Sequence, residues 1–376
     1  MIYFDNSATG GFKPASSILA TEKAIKFLNA NPGRGSHRLA VTAEEFVYKC
    51  RSLLSKTFNN QRIERVIFTK NCTEALNIAL FGLLKDGDEV VTTVTEHNSV
   101  LRPLYALERQ KNITIKFAQL DNGKITASSL LQLVSPKTKL VVMNAVSNVT
   151  GAMNDFREIA KSITCPIVLD CAQLAGHQSI DLVRDNISAI CVAGHKGLYS
   201  VAGIGALIFR DDIDIEPLTF GGSGTDSFLH VPEFYPEKLE SGSLNLPAIC
   251  SLYEGVDYAY PIMEQSEKRL LEMTRTIISA LNEMGVKTYS EANPYGIVAF
   301  ELKRSSVEIA DILSSEYDIA VRGGFHCAPL MHCALKTQKK GLVRASLAFQ
   351  NTQSEIRLFL NAIYNLKQQE SGLYVD

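Results

Sequence analysis

The sequence predicts an α/β fold, in which helices cover a mainly parallel sheet of seven strands, followed by a small α+β region. Three observations predict it. Between about residues 60 and 210, short apolar runs alternate with helical patterns, which is typical of strand-helix-strand units. A long amphipathic pattern comes next, and short strand and helix patterns mix in the remainder of the chain.

Seven apolar runs are the predicted strands, and several of them are β-branched and apolar on both faces, as buried parallel strands are. They span residues 65–68, 89–93, 113–117, 139–144, 166–170, 189–192 and 205–209. Ligands of open α/β sheets bind at the carboxyl ends of the strands. We therefore expect functional residues directly after these runs.

Beyond the sheet the sequence predicts a long helix and a second, smaller lobe. Apolar residues recur at three- and four-residue spacings over 260–284, which indicates one amphipathic helix. The later elements are a strand at 297–302, a helix opened by Ser305-x-x-Glu308, strands near 319–322 and 342–347, and a helix opened by Thr352-x-x-Glu355. We expect a large domain at 13–258 and a small domain made of 1–12 with 259–376.

Composition excludes several classes of protein. The 376 residues carry 38 basic and 40 acidic side chains, a net charge of −2 without long runs of one sign, so we expect neither nucleic acid nor an anionic membrane as partner. No signal-like or membrane-spanning run is present. Eight cysteines in a chain of this length indicate reduced thiols, which predicts a cytoplasmic protein.

A lysine and an aspartate follow two of the predicted strands. Lys196 lies in a Gly-His-Lys turn after the run at 189–192, where desolvation would lower the pKa of its amine and prepare it for a Schiff base. Asp170 ends the run at 166–170 and could pair with a pyridinium nitrogen. Taken alone, Lys196 could be a solvated loop residue and Asp170 a helix N-cap.

Three further polar segments follow strands. The turn Asn71-Cys72-Thr73 leads from a strand into a helix, where free N–H groups and the helix dipole form a phosphate cup. His97 could stack on a cofactor ring, and Asn148 could hydrogen-bond a cofactor oxygen. Ordinary capping and turn formation are the alternatives for each, but all these groups share the carboxyl ends of strands.

These motifs resemble those of the class V aminotransferases, which have the type I fold of pyridoxal phosphate (PLP)-dependent transferases, and within them group II cysteine desulfurases and selenocysteine lyases. The resemblance implies PLP as cofactor, with Lys196 as the Schiff-base lysine and His97 as the stacking residue and a catalytic group. It implies a homodimer with shared active sites, because Glu240-Ser-Gly-Ser243 is similar to a segment that the neighbouring subunit contributes. The implied cofactor-binding residues are Cys72, Thr73, His97, Asn148, Asp170, Gln173, His195, Lys196 and Ser243.

The C-terminal part of the resemblance predicts the reaction. Arg322-Gly-Gly-Phe-His-Cys327 resembles the loop that carries the persulfide-forming cysteine, and Arg344 the arginine that holds the substrate carboxylate, with Asn148 and Arg322 as further substrate contacts. The implied reaction converts L-cysteine to L-alanine and leaves the sulfur on Cys327, from which a sulfur-acceptor protein could take it. Ala193 and Ser200-Val201 depart from the family pattern beside the lysine, which leaves the substrate less defined.

Two alternatives remain at this point. A selenocysteine lyase, or another class V aminotransferase or lyase acting on a different amino acid, would use the same cofactor site, although transamination needs no thiol. A metal site is the other, because His326-Cys327 and His332-Cys333 form a possible Cys2His2 set. Structural zinc motifs space their paired ligands by two to five residues, so we expect no metal.

Overall fold

The computed structural model of the chain describes residues 1–33, 35–224 and 228–372. The strands are β1 (Ile2–Tyr3), β2 (Val66–Thr69), β3 (Glu89–Thr93), β4 (Thr114–Ala118), β5 (Thr138–Asn144), β6 (Ile167–Asp170), β7 (Ala189–Ala193), β8 (Gly205–Phe209), β9 (Lys287–Thr288), β10 (Ile297–Glu301), β11 (Ile319–Ala320), β12 (Arg322–Gly324) and β13 (Leu342–Ser346). The helices are α1 (Ala15–Phe27), α2 (Arg38–Thr57), α3 (Cys72–Leu83), α4 (Asn98–Lys111), α5 (Ala127–Leu131), α6 (Phe156–Ser162), α7 (Leu246–Glu283), α8 (Ser306–Tyr317), α9 (Pro329–Ala334) and α10 (Gln353–Gly372).

The chain divides into two compact units. The large unit contains residues 13–145 and 154–261, and the small unit contains 1–12, 146–153 and 262–376. The sequence predicts the division near residues 12 and 258 but does not assign 146–153 to the small unit. That segment follows β5 as a loop, and its Asn148 amide donates to the carbonyl of His326, which explains its placement.

The large unit is built on a sheet with the order β2-β8-β7-β6-β5-β3-β4. All neighbouring strands are parallel except at β8, which runs antiparallel to both β7 and β2. The predicted mainly parallel sheet of seven strands is confirmed, and every strand end lies within one residue of the prediction. Their apolar faces are buried by helices such as α3 and α4, through Leu76, Leu80 and Leu104.

The small unit contains an antiparallel sheet with the order β12-β13-β10-β9, and β1 pairs with β11 in a separate parallel pair. The C-terminal part of α7 contributes Leu270, Met273, Ile277 and Leu281 to its core. The single strand predicted at 319–322 is wrong, because β11 and β12 belong to different sheets. The N-terminal segment supplies the partner of β11, and a local pattern of residues carries no information about such a distant partner.

The long predicted helix is present but begins earlier than the prediction. It spans Leu246–Glu283, with Pro261 inside it, rather than 260–284. Proline is common in the first turn of a helix, and Pro261 therefore indicates, wrongly here, that the helix begins near residue 260. Among the residues described, no helix combines the length and the apolar character needed to cross a membrane.

Candidate active site

Four of the predicted motifs lie at one edge of the large sheet. Because β8 is antiparallel to β7 and to β2, the carboxyl end of β2 lies at the same edge as those of β3, β6 and β7. Thr73, His97, Asp170 and Lys196 end or closely follow these four strands. We call this set the cofactor-side cluster.

The turn after β2 has the properties of an anion-binding helix start. The side chain of Asn71 caps α3 by accepting a hydrogen bond from the backbone N–H of Glu74, at 2.9 Å. The backbone N–H groups of Cys72 and Thr73 precede the first intrahelical hydrogen bond and have no partner among the described residues. These two N–H groups and the positive end of the helix dipole therefore suit the binding of an anion at this turn.

A short hydrogen-bonded chain connects this turn to His97. The hydroxyl of Thr73 lies 2.7 Å from that of Ser99, which lies 2.8 Å from Nδ1 of His97. The backbone N–H of Ser99 also donates to Nδ1, at 3.0 Å. Because Nδ1 accepts this bond, the proton of a neutral ring lies on Nε2. The cap of α4 thus fixes the orientation of the His97 imidazole, whose stacking on a cofactor ring stays a prediction.

Asp170 is nearly buried and surrounded by thiols. Its Oδ1 accepts hydrogen bonds from the backbone N–H of Ala172 at 2.9 Å and from the thiol of Cys72 at 3.5 Å. Burial and the Asp170 carboxylate raise the pKa of the thiols of Cys72, Cys171 and Cys191 well above the ordinary value. The three thiols stay protonated, so Cys72 acts as a hydrogen-bond donor to the carboxylate.

Glu96 is a fully buried carboxyl group that the sequence analysis does not single out. Its Oε1 accepts from the hydroxyl of Thr93 at 2.5 Å and from the backbone N–H of Asn144 at 3.0 Å, whereas Oε2 is buried without a partner among the described residues. Burial, with a smaller contribution from Asp170, raises the pKa of Glu96 to about 8. Glu96 is therefore mainly protonated at neutral pH.

Two glycines allow the backbone around Lys196 to pack tightly. A Cβ on Gly197 would overlap the carbonyl oxygen of Ala175, and a Cβ on Gly176 would overlap the carbonyl of Gly197. Lys13 donates from Nζ to the carbonyl of His195 at 3.0 Å, and burial lowers the pKa of Lys13 to about 8. Neither Lys13 nor the glycine pair is marked by a motif in the sequence.

His195 directly precedes Lys196, and Gln173 lies three residues after Asp170. Both side chains are largely buried. Burial, followed by the charges of Lys196 and Lys13, lowers the pKa of His195 to about 4, so its imidazole is neutral at physiological pH. Gln173 is only 7% exposed. In the loop that departs from the family pattern, Ser200 is buried and its hydroxyl donates to the carbonyl of Ala248 at 3.4 Å. The start of α7 thus anchors this loop.

Ser243 lies elsewhere on the large unit. It is exposed, and its hydroxyl accepts from the amide of Asn31 at 3.1 Å. Its neighbours Gly242 and Leu244 line a cavity of about 990 Å³ that none of Thr73, Asp170 and Lys196 lines. The structure therefore does not bring Ser243 into the cofactor-side cluster of its own chain.

The small unit holds the predicted substrate residues. Arg322 of β12 and Arg344 of β13 are directly opposite each other in the antiparallel register, so their side chains lie on one face. Arg344 is 1% exposed, and its Nη2 forms an ion pair with Oδ1 of Asp5 at 2.9 Å. Two adjacent guanidinium groups with one carboxylate leave a net positive charge, which suits an anionic ligand.

Asn148 contacts both the arginine and the cysteine loop. Its carbonyl oxygen accepts from Nη1 of Arg344 at 2.9 Å, and its amide Nδ2 donates to the carbonyl of His326 at 2.7 Å. Its Oδ1 is buried without a partner among the described residues, as is Nε of Arg344. The amide that the resemblance assigns to a cofactor oxygen is thus engaged by the loop, while two buried polar atoms remain available to a ligand.

Cys327 lies on a constrained loop. Both His326 and Cys327 have left-handed backbone angles, with φ of 49° and 57°, which side chains other than glycine rarely adopt. The thiol is partly exposed and lies 3.6 Å from Nη2 of Arg322. Burial lowers the pKa of His326 to about 2, and its ring contacts the carbonyl of Leu342. His326 is neutral, so Arg322 is the cation next to the sulfur.

The arrangement of the loop does not support the Cys2His2 alternative. No group of three or more potential metal ligands occurs within residues 1–33, 35–224 and 228–372. Nδ1 of His332 is bonded to the hydroxyl of Thr337 at 2.8 Å, and Cys333 is exposed at the end of α9. The paired His and Cys residues therefore do not converge on one point.

Pyridoxal phosphate fits the residues of the cofactor-side cluster. The free N–H groups of Cys72 and Thr73 suit its phosphate, Asp170 its ring nitrogen, and the imidazole of His97 its ring face. Lys196, which follows β7 at the same edge, carries an amine of the kind that a Schiff base needs. The fit follows from the donor set and from the tight glycine packing next to the lysine.

Comparison with known proteins agrees with this geometry. The model of the family described as aminotransferase class-V matches residues 2–359. A probable cysteine desulfurase from Methanothermobacter thermautotrophicus is 31% identical over 373 residues, which cover 95% of this chain and 92% of that protein. One from Pyrococcus abyssi is 30% identical, covering 97% and 94%.

Solved structures agree as well. The apo structure of a cysteine desulfurase from Thermococcus onnurineus NA1 has a TM-score of 0.90 at 29% identity and covers 98% of this chain and 95% of its own. A cysteine desulfurase from Escherichia coli, at 24% identity and a TM-score of 0.87, shows the same fold. With its sheet, its edge cluster and its matched length, this chain belongs to the class V aminotransferase family of PLP-dependent enzymes.

Proposed function

We propose that the protein is a cysteine desulfurase, which converts L-cysteine to L-alanine and leaves the sulfur as a persulfide on Cys327. The observation that carries the proposal is the partly exposed Cys327 thiol, which a guanidinium contacts on a constrained loop. Relatives named probable cysteine desulfurase, matched over more than nine tenths of both chains, support it.

Each residue of the cofactor-side cluster has a role in this proposal. The N–H groups of Cys72 and Thr73 bind the phosphate, Asp170 holds the proton on the ring nitrogen, and His97 covers the ring. His195, Gln173 and Asn148 complete the cofactor contacts that the resemblance implies. Pyridoxal phosphate, when bound, supplies an electron sink that weakens the bonds at the substrate Cα. The amine of Lys196 accepts the proton from Cα.

The residues of the small unit bind the substrate and take its sulfur. Arg344 binds the carboxylate through its guanidinium, whose orientation Asp5 and the carbonyl of Asn148 fix. Arg322 stabilises negative charge on the Cys327 sulfur. The thiolate forms a bond to the substrate sulfur as the carbon–sulfur bond breaks, and the carbon skeleton leaves as L-alanine. One molecule of cysteine and one thiol thus give one alanine and one persulfide.

The test measures alanine formed from L-cysteine, with a reductant present to release the persulfide as sulfide. The Cys327→Ala variant should keep the cofactor absorbance and lose at least about a hundredfold in turnover, a loss within the range of a missing nucleophile. Cys333→Ala is the matched control, since it removes an exposed thiol six residues away. If both variants turn over cysteine like the parent, or if only selenocysteine is a substrate, the proposed function is wrong.

We propose that two copies of the chain form a homodimer through the large unit. Many of the exposed apolar side chains of the described residues lie in α1, in α2 and in the segment that precedes Ser243, where a partner copy could cover them. They include Ile18 (53% exposed), Ile25 (55%), Phe27 (68%), Tyr48 (59%), Phe220 (72%) and Phe228 (96%). Ser243 would then act in the site of the partner subunit, which accounts for its position outside its own cluster.

Two measurements test the dimer. Sedimentation should give twice the mass of the chain, and Phe27→Glu, which places a charge on the apolar surface, should shift the protein toward monomer. Lys196→Ala mixed with a Ser243→Trp variant should regain part of the parent activity if active sites are shared. A monomeric parent would contradict the proposal. We further propose a reducing location such as the cytoplasm, because all eight cysteines are free thiols.

A further inference from the structure

A chain of hydrogen-bonded side chains joins the starts of α3 and α4 on the large unit. Thr73 lies in the first turn of α3, Ser99 lies in the first turn of α4, and His97 is the N-cap residue of α4. The hydroxyl oxygens of Thr73 and Ser99 are 2.7 Å apart, and that of Ser99 lies 2.8 Å from Nδ1 of His97. We call these three side chains the hydroxyl relay. It connects the turn that suits the cofactor phosphate with the imidazole that we expect on the cofactor ring.

The protons of the hydroxyl relay have one direction in this structure. The backbone N–H of Ser99 donates to Nδ1 of His97 at 3.0 Å, so this nitrogen carries a lone pair and no proton. The hydroxyl of Ser99 therefore donates to Nδ1, because no other proton lies between these two atoms. A hydroxyl has a single proton, so Ser99 accepts in its other bond and Thr73 donates. The donors thus run from Thr73 through Ser99 to His97.

Nδ1 of His97 accepts from both the N–H and the hydroxyl of Ser99. The bond from the N–H belongs to the cap of α4 and does not depend on the side chain of Ser99. The bond from the hydroxyl can change, because a hydroxyl rotates to suit its neighbours. Hydrogen bonds in a chain polarise one another, so this second donor on Nδ1 makes the Nε2–H of the same ring a stronger donor.

An anion at the turn before α3 competes for the first proton of the hydroxyl relay. The backbone N–H and the hydroxyl of Thr73 belong to one exposed residue, so a phosphate oxygen bound at the turn meets both. A hydrogen bond to a charged oxygen is roughly twice as strong as one between neutral groups. Ser99 is 8% exposed, so the anion acts on it through Thr73. We therefore expect the Thr73 proton to turn from Ser99 to the anion.

The departure of that proton reverses the next bond. Two hydroxyl oxygens at 2.7 Å need a proton between them, and the only one that remains belongs to Ser99. The Ser99 hydroxyl then donates to Thr73 and leaves Nδ1 of His97. Both protons point toward the anion, while Nδ1 keeps the bond from the N–H of Ser99. With one donor fewer on Nδ1, the Nε2–H of the ring becomes a weaker donor.

We propose that the hydroxyl relay transmits the presence of the cofactor phosphate to His97, with Ser99 as the positioning residue whose hydrogen bond changes. The inference rests on the cofactor site of the family and is independent of the amino acid that serves as substrate. No covalent bond is made or broken, since two hydroxyl groups rotate. The imidazole therefore takes its final donor strength only when a cofactor with a phosphate group is bound.

The experiment measures the 15N resonance of Nδ1 of His97 in holoenzyme labelled at its histidines. The chain has seven histidines, and the resonance that disappears in His97→Gln is the one to follow. The comparison is the same chain carrying pyridoxal, which has the ring but no phosphate, at an alkaline pH that keeps imidazole neutral. Because a ring nitrogen moves to higher frequency when it loses a hydrogen bond, the resonance should lie at higher frequency with pyridoxal phosphate. Inorganic phosphate added to the pyridoxal form should move it toward the same position.

Two variants interrupt the hydroxyl relay at different points. Ser99→Ala removes the hydroxyl donor but keeps the N–H that caps α4, so the resonance should lie at high frequency in both cofactor forms. Thr73→Val leaves the Ser99 hydroxyl on Nδ1, so the resonance should lie at low frequency in both. Ser99→Thr, which keeps a hydroxyl, should retain the shift of the parent.

Ser17→Ala is the matched control for the loss of a buried hydroxyl. The Ser17 hydroxyl donates to the carbonyl of Ser251 at 3.2 Å, elsewhere on the large unit, so this variant should show the shift of the parent. Equal positions of the resonance in the two cofactor forms of the parent would overturn the inference. A shift of the parent's size in both Ser99→Ala and Thr73→Val would also overturn it, because the phosphate charge would then act on His97 through space.

Discussion

At the scale of single residues, the most consequential contacts surround two arginines on neighbouring strands. Like charges directly opposite each other destabilise a sheet. The protein nevertheless places Arg322 opposite Arg344, and Asp5 is the carboxylate that pairs with Arg344. Burial lowers the pKa of Arg344, and Asp5 opposes that effect. The two guanidinium groups and one carboxylate leave a net positive charge on this face, which suits an anion such as the proposed substrate carboxylate.

The reactivity of Cys327 should depend on Arg322. In Arg322→Gln the sulfur loses the charged hydrogen-bond donor that contacts it at 3.6 Å. We expect alkylation of Cys327 by iodoacetamide at pH 7 to slow by about tenfold, a change of about 1.4 kcal/mol. Mass spectrometry of the labelled peptides gives the rate. Cys333 serves as internal control, and an unchanged ratio of the two rates would refute the role of Arg322.

Substrate affinity should depend on Arg344 and on Asp5. Loss of a charged, two-pronged hydrogen bond costs about 1.5–3 kcal/mol, so Arg344→Lys should raise KM for L-cysteine by about tenfold or more. Asp5→Asn removes the ion pair that orients the guanidinium and should raise KM with a smaller change in kcat. Steady-state kinetics separates the two constants. A fall in kcat at constant KM would mean that Asp5 does not act through the substrate carboxylate.

At the scale of elements, close backbone contacts position the lysine turn. Gly176 and Gly197 let residues 175–177 approach the turn so closely that no side chain fits between them. Gly197→Ala should therefore displace Lys196 and weaken cofactor retention, measured by absorbance after gel filtration. Gly221→Ala, where a Cβ would make only ordinary contact, is the control. Normal cofactor retention in Gly197→Ala would contradict this account.

The sequence predicts some elements well for a physical reason. The seven strands are buried on both faces, so their apolar runs are continuous, and the ligand-bearing turns follow from the strand ends. Pairings and helix bounds that depend on distant residues are not predicted in this way. Whether β11 pairs with β1, and whether α7 continues through Pro261, depends on partners far away in the chain. The sequence likewise predicts no role for Asp5 or Glu96, because their roles depend on contacts with Arg344 and with Asn144.

At the scale of the whole molecule, Glu96 links stability to pH. Its pKa is about 8 in the folded protein and 4.5 ordinarily. Because the pKa of Glu96 is raised in the folded protein, the contribution of this residue to the free energy of unfolding is complete below pH 4.5. That contribution is lost as pH rises toward 8. Between these values the unfolded chain binds fewer protons at this site, so the free energy of unfolding falls by up to about 1.4 kcal/mol per pH unit.

Glu96→Gln should remove this dependence. The amide is neutral at every pH and has nearly the same shape, so it can keep the bond from the N–H of Asn144 through its carbonyl oxygen. We expect the free energy of unfolding of the variant, relative to that of the parent, to rise steadily between pH 5 and pH 8. Urea unfolding at several pH values measures the difference. A difference that is constant over this range would show that Glu96 is ionised in the folded protein.

The distribution of thiols has a practical consequence for biophysics. Five cysteines are buried, and burial raises the pKa of each of them; they are Cys50, Cys72, Cys171, Cys191 and Cys250. Burial also raises the pKa of the half-covered Cys165, so maleimide dyes and nitroxide spin labels should attach first to Cys327 and Cys333 in the small unit. A dye on Cys333 of a Cys327→Ala variant would therefore mark the small unit, because the large unit leaves only the half-covered Cys165 for labelling.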